Sequence, residues 1–106
     1  MEGDSRNMIK DIFKAQVNKS CIASSLMVSR LIKLDNEFYS QICRAFNRFK
    51  DCDWGELCQE DIDDNNQYLC EPAHSTLGIY TTKYGNVWIK TEANRMVTLI
   101  FFPSEY

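Results

Sequence analysis

A stripe of apolar side chains between residues 37 and 50 constrains the fold more than any other feature of the sequence. Its members recur at i, i+4, i+7, i+8 and i+11, which is the spacing of one face of an α-helix. They are Phe38, Ile42, Ala45, Phe46 and Phe49. We predict a helix over residues 37–50, capped by Asp35 or Asn36, whose apolar face lies in the core. Phe46 is therefore assigned a structural role.

The C-terminal part of the chain has the shorter alternation that is typical of β-strands. Three such segments are separated by turn residues, and they cover residues 77–82, 87–92 and 96–102. The first turn contains Gly85 and Asn86, either of which can adopt positive φ, and Pro103 ends the sheet. We predict a three-stranded antiparallel meander with one face under the helices, in which Trp88 is a structural residue.

Two segments before residue 37 complete the helical part. Residues 21–34 have loosely helical spacing after Ser20, which can cap a helix. Residues 8–17 leave two alternatives open, a short amphipathic helix from Met8 or a strand over residues 13–17. The predicted class is α+β, with the N-terminal helices and an acidic helix packed on the sheet. At 106 residues the chain has the size of one domain.

Charge is distributed unevenly along this domain. Residues 1–50, helical and mildly basic, carry nine Lys or Arg and five Asp or Glu. Residues 51–106 carry three Lys or Arg and ten Asp or Glu, and they include the acidic turn and helix (51–70) and the sheet (77–103). An acidic half repels phosphate, so we expect no direct contact with nucleic acid. It complements a basic protein surface, and it also favours solubility.

The acidic stretch begins with the sequence Asp53-Trp54-Gly55. We predict that Gly55 forms a turn, that Trp54 is buried, and that Asp53 caps a helix over residues 56–69. All three are assigned structural roles. The outward carboxylates of the turn and helix are the predicted partner-binding residues: Glu56, Glu60, Asp61, Asp63 and Asp64.

The cysteines indicate a reduced, cytoplasmic protein. There are five, with no Cys-x-x-Cys pair, and neither a leader-like start nor an apolar run long enough for a membrane span is present. Zinc ligation by Cys52, Cys58, Cys70 and His74 stays open, although their spacing matches no compact zinc motif. The EF-hand spacing fails, because Ile62 stands where the final glutamate is needed. We predict no catalytic residue, no metal site and no cofactor.

From Asp51 onward the chain resembles a family of short proteins carried by bacterial plasmids, conjugative elements and prophages. The resemblance covers about half of the chain. It is carried by Asp53-Trp54-Gly55-Glu56, Glu60-Asp61, Asn65, Trp88-Ile89, Thr91-Glu92-Ala93, Arg95, Thr98, Phe102-Pro103 and Glu105-Tyr106. Cys52, Lys90, Asn94 and Met96 depart from the family pattern. The resemblance implies no established catalysis, but it implies a role in the contest between mobile elements and host defence.

These features predict a non-enzymatic inhibitor, of the anti-CRISPR or antirestriction type, that occupies a basic nucleic-acid channel of a defence effector. The expected partner is thus a protein, not a nucleic acid or a membrane. One alternative is a small ribonuclease toxin that uses Arg95, Lys90 and Tyr106. A further alternative is a regulatory module that oligomerises through an exposed sheet edge. The oligomeric state and the identity of the target are left open.

Overall fold

The computed structural model describes residues 2–69 and 74–106, with side chains from residue 7 onward. Within these ranges the chain forms four helices and one four-stranded sheet, which confirms the α+β class. They are α1 (Glu2–Lys19), β1 (Cys21–Ser24), α2 (Leu26–Leu34), α3 (Asn36–Lys50), α4 (Gln59–Gln67), β2 (Thr76–Thr82), β3 (Gly85–Thr91) and β4 (Val97–Phe101), before a short 3₁₀ turn, Pro103–Glu105. In these two ranges, no helix has both the length and the apolar character needed to cross a membrane.

Helix α3 confirms the predicted apolar stripe. Asp35 caps it by accepting a hydrogen bond from the Phe38 backbone N–H at 3.1 Å. Phe38 and Phe49 are fully buried, and Phe49 packs edge-to-face on Phe13 and Trp54 with ring centroids 5.7 and 5.5 Å apart. Burial of each such ring stabilises the fold by about 1.5–3 kcal/mol before ordering costs. Phe46 is only partly buried and packs against this core.

The predicted helix over residues 21–34 is wrong in its first part. Residues Cys21–Ser24 form strand β1, because Cys21 N–H donates to Met96 O at 2.8 Å and Ser25 N–H to Ile100 O at 2.9 Å. Helix α2 begins only after this strand. Its cap is Ser25, whose hydroxyl accepts from Val28 N–H, whereas the hydroxyl of Ser20 donates to the Val17 carbonyl. Sheet pairing therefore overrides the local helical spacing.

Residues 8–17 belong to helix α1, so the strand alternative is wrong. Only Phe13 and Val17 are buried among the described hydrophobic side chains of this helix, whereas Met8 and Ile12 are exposed. The two buried positions are four residues apart and so lie on one side of the helix. Helix α1 is therefore anchored through its C-terminal half.

The sheet has four strands instead of the three predicted, and it is mixed. Its order is β1-β4-β3-β2, with β1 parallel to β4 and the other two pairs antiparallel. The predicted meander is thus present as β2, β3 and β4, with β1 added at its edge. The first hairpin turns at Lys83 and Tyr84, and Gly85 takes the positive φ of 105°. This places the turn one residue earlier than the sequence suggested.

Buried hydroxyl groups join α1 to the inner face of the sheet. The Thr98 side chain is hydrogen-bonded to Thr91 at 2.9 Å and to Ser20 at 2.8 Å. Thr91 and Thr98 are both fully buried. Because each hydroxyl has a partner, these polar groups are accommodated in the core without an unpaired donor or acceptor.

Ion pairs and a hydrogen bond join the first hairpin to the start of α3. Lys83 Nζ lies 3.0 Å from Asp35 and 2.9 Å from Glu37, and the Tyr84 hydroxyl also donates to Asp35. The Tyr84 and Lys83 hydrogen bonds lower the pKa of Asp35 to about 2. The ionised carboxylate is therefore favoured by folding.

We predict that Asp35→Asn destabilises the protein at neutral pH and much less near pH 2. A carboxyl group whose pKa is lower in the folded state stabilises the fold above its unfolded pKa of about 3.9, and this contribution is lost as pH falls towards about 2. Urea unfolding of both proteins across this pH range measures the difference. Asp11→Asn, an exposed carboxylate on α1, is the control. A difference that does not shrink in acid would contradict the prediction.

Candidate functional site

The predicted partner-binding carboxylates lie on one continuous segment, the turn before α4 and the helix itself. All five are exposed: Glu56, Glu60, Asp61, Asp63 and Asp64. We call this set the acidic face. Helix α4 is shorter than predicted, because it begins at Gln59 and ends at Gln67, so Glu56 lies in the preceding turn.

The segment that carries the acidic face is attached to the sheet by backbone pairing. Gly55 forms a parallel bridge with Ile79 of β2. Glu56 N–H donates to Ile79 O at 2.7 Å, and Ile79 N–H donates to Trp54 O at 3.0 Å. A Cβ at Gly55 would collide with the Ile79 carbonyl oxygen, and φ there is +69°. Only glycine fits this close approach without strain.

Side chains complete this attachment. Trp54 is 3% exposed, and its indole N–H donates to the Asn66 side-chain oxygen at 2.9 Å. Asn65 is buried and donates to the Leu77 carbonyl of β2 at 2.9 Å. Two neighbouring residues of α4 therefore hold the helix to the sheet edge and to the core tryptophan. The carboxylates therefore lie on an element with a fixed position, so less conformational entropy is lost when a partner binds.

Asp53 does not cap α4, which corrects the prediction. The residue before α4 is Cys58, which makes no side-chain cap hydrogen bond. Asp53 instead accepts two hydrogen bonds from Arg48, at 2.7 and 3.1 Å, and one from Gly55 N–H at 3.1 Å. The Arg48 hydrogen bonds hold the pKa of Asp53 below its usual value. The bidentate pair fixes the turn after α3, a different structural role from the one expected.

Few groups of the described part of the protein neutralise the negative charge of the acidic face. Asp61 accepts from the Cys58 thiol at 3.2 Å, and Asp63 accepts from the Gln59 amide at 2.8 Å. The ion pairs observed in residues 2–69 and 74–106 involve Asp35, Glu37, Asp51 and Asp53, and none involves the five carboxylates. Glu60 and Asp61 lie in the first turn of α4, where the helix dipole favours negative charge. The charge of this face is thus available to a partner.

The zinc hypothesis concerns Cys52, Cys58, Cys70 and His74. Cys70 lies outside the described residues, so the zinc set is not tested as a whole. Of its other members, Cys58 is exposed, Cys52 is half-buried, and His74 packs on the Tyr68 ring at 5.1 Å. Burial raises the pKa of the Cys52 thiol to about 11, which disfavours the thiolate that ligation requires. Within the described ranges, no group of three or more His, Cys, Asp or Glu side chains is arranged for a metal ion.

The three residues of the ribonuclease alternative are not brought together. Arg95 donates to the Leu69 carbonyl at 2.9 Å, and its guanidinium lies 5.3 Å from the ring of buried Phe13. Lys90 lies instead over the Tyr106 ring at 5.6 Å. Strand β3 points Lys90 to the face opposite its neighbour Thr91, which is buried under the helices. Arg95 therefore has a structural position away from the other two.

A second surface lies on this outer face of the sheet, and the sequence pattern did not predict it. Trp88 packs against Phe101 and Tyr106, with ring centroids 6.0 and 6.5 Å apart. An open apolar cleft of about 300 Å³ adjoins it and is lined by Ser24, Ser25, Leu99, Ile100, Phe101, Glu105 and Tyr106. A continuous apolar run is typical of a strand that is covered on both faces, and the run over residues 99–102 is the sequence feature that indicates this surface.

No family model, curated protein or solved structure matches this chain.

We predict that Gly55→Ala lowers the free energy of unfolding by about 3 kcal/mol or more, because it adds a steric collision to backbone strain. Gly85→Ala is the matched control, since Gly85 also has positive φ but open space around its Cα. It is expected to cost only the strain, about 1 kcal/mol. Urea denaturation of the two variants measures both values. Equal losses would show that the approach to Ile79 is not tight.

Proposed function

We propose that this chain is a non-enzymatic inhibitor that binds a basic, nucleic-acid-binding channel of a host defence effector through its acidic face. The observation that carries the proposal is the set of five exposed carboxylates without ion pairs in the described part of the chain, on an element fixed to the sheet. Charges held in place on such an element repel nucleic acid and attract the Lys and Arg side chains that line its channels.

The contacts of the residues that carry the family resemblance support the same surface. Most of them hold the fold: Asp53 binds Arg48, Asn65 binds the Leu77 carbonyl, and Thr91 binds Thr98. Glu105 accepts from Ser25 Oγ and from Met27 N–H at the start of α2. Glu56, Glu60 and Asp61 are different, because their carboxylates are exposed and form no ion pair in the described part of the chain. These are carboxylates of the pattern that the fold leaves available to a partner.

The mobile-element resemblance supplies the class of target. Proteins of plasmids and prophages meet restriction and CRISPR effectors, whose channels bind phosphate with basic side chains. A helix with four carboxylates and no basic residue presents the charge of a nucleic-acid strand. The proposed mechanism is therefore competition for the channel, with no chemical step.

We predict that Glu60→Lys with Asp64→Lys abolishes capture of the effector in a pull-down from a defence-bearing host lysate, with the recovered nuclease identified by mass. Two reversed charges meet a basic channel with repulsion, so affinity falls by about tenfold or more. Binding of the unmodified protein should also weaken between about 0.1 M and about 1 M salt, as the Debye length falls from about 10 to about 3 Å.

Asp11→Lys with Asp51→Lys is the matched control, because it changes the net charge equally at exposed positions outside the acidic face. This variant should retain binding. If both double variants bind alike, overall charge and not this face determines the interaction. If Glu60→Lys with Asp64→Lys still binds at low salt, the charge-mimic mechanism is wrong.

A further inference from the structure

The two edges of the sheet are protected differently. At the β2 edge, the backbone of residues 54–56 pairs with Ile79, and Asn65 binds the Leu77 carbonyl. At the β1 edge, the strand order places no further strand beside Cys21–Ser24 in the described part of the chain. This strand has neither a charged residue nor a proline, which are the usual features that keep an edge from pairing.

The outward groups of β1 can be assigned from its pairing. Cys21 and Ser25 both donate their N–H groups to the β4 side. Because successive N–H groups of a strand point to alternate sides, Ala23 also faces β4, while Ile22 and Ser24 face outward. The Ser24 carbonyl has a long contact of 3.4 Å with the Ser29 hydroxyl. Ile22 is therefore the centre of the free edge.

We propose that β1 pairs antiparallel with β1 of a second copy of this chain, about a two-fold axis at Ile22. Ile22 N–H then donates to the carbonyl of the partner's Ile22, and the Ile22 carbonyl accepts from the N–H of the partner's Ile22. Two four-stranded sheets become one continuous sheet of eight strands. The proposal does not depend on the inhibitor function.

Charge complementarity favours this occupant. Lys19 is the last residue of α1 and lies just before the strand, and Ser25 lies just after it, so antiparallel pairing about Ile22 brings the end of α1 towards the partner's Ser25. The Ser25 hydroxyl binds the carboxylate of Glu105, whose pKa is held below its usual value. Lys19 is exposed. The symmetry brings Lys19 and Glu105, which carry opposite charges, to the same end of the interface twice, so charge as well as backbone pairing favours a second copy.

The surroundings of β1 supply the apolar area that a dimer needs. A specific interface buries about 800 Å² on each partner, more than a strand of this length provides. Three large hydrophobic side chains lie on the edge strand or just after it with substantial exposure: Ile22 44%, Leu26 64% and Met27 49%. Leu26 and Met27 begin α2, one residue after the strand. The proposed interface covers them together with the strand.

Sedimentation equilibrium tests the edge. The unmodified protein should have twice the mass of one chain, and Ile22→Lys should raise the dimer dissociation constant by about tenfold or more, because like charges then lie directly opposite. Leu34→Lys is the matched control, since Leu34 is 83% exposed at the far end of α2. Circular dichroism verifies that both variants are folded. A monomeric unmodified protein, or equal weakening by the two variants, would overturn the proposal.

Disulfide trapping tests the register independently. Pairing about Ile22 sets Cys21 opposite the partner's Ala23 in a non-hydrogen-bonded pair, with a Cα separation of about 4.5 Å that a disulfide can span. Ala23→Cys should therefore form a cross-linked dimer under mild oxidation, and Ala23→Cys with Cys21→Ser should form about tenfold less. Both proteins carry serine at Cys43, Cys58 and Cys70. Cross-linking that is absent from both, or equal in both, would exclude this pairing.

Discussion

The close approach of Gly55 to Ile79 is the constraint on which most of the remaining structure depends. It joins the end of α3 to the sheet by two backbone hydrogen bonds and closes the β2 edge. It also sets Trp54 into the core against Phe13 and Phe49. Helix α4 can then bind the same edge through Asn65. Without this contact neither the core tryptophan nor the acidic face would have a fixed position.

Much of this fold could be predicted from the sequence where the signal is local. The stripe of α3 has helical spacing and a capping aspartate, and the hairpins alternate clearly, so both were predicted. Strand β1 was not, because its hydrogen bonds go to β4, more than seventy residues away in sequence. The start of α4 was misplaced because Asp53 has a stronger partner in Arg48 than the free N–H groups of a helix.

The residues of the candidate site could be predicted more easily than their arrangement. Exposure of the five carboxylates follows from their charge, so the residues of the acidic face could be named in advance. The position of the segment that carries them could not be predicted, since it depends on the Gly55 bridge and on the Trp54–Asn66 hydrogen bond. For Arg95, the structure shows contacts that the sequence did not suggest. Its charge suggested catalysis, but its contacts with Leu69 and Phe13 hold α4 and α1 to the sheet.

The two proposed surfaces lie at opposite edges of the sheet, and this has a consequence for stoichiometry. In a dimer paired through β1, the two β2 strands are seven strand spacings apart, about 34 Å at about 4.8 Å each. The acidic faces lie beside these outer strands. A dimer of the proposed kind therefore presents two separate acidic faces to its partners. Dimerisation would then increase affinity by bivalence where two binding sites, on one effector or on paired effectors, lie a similar distance apart.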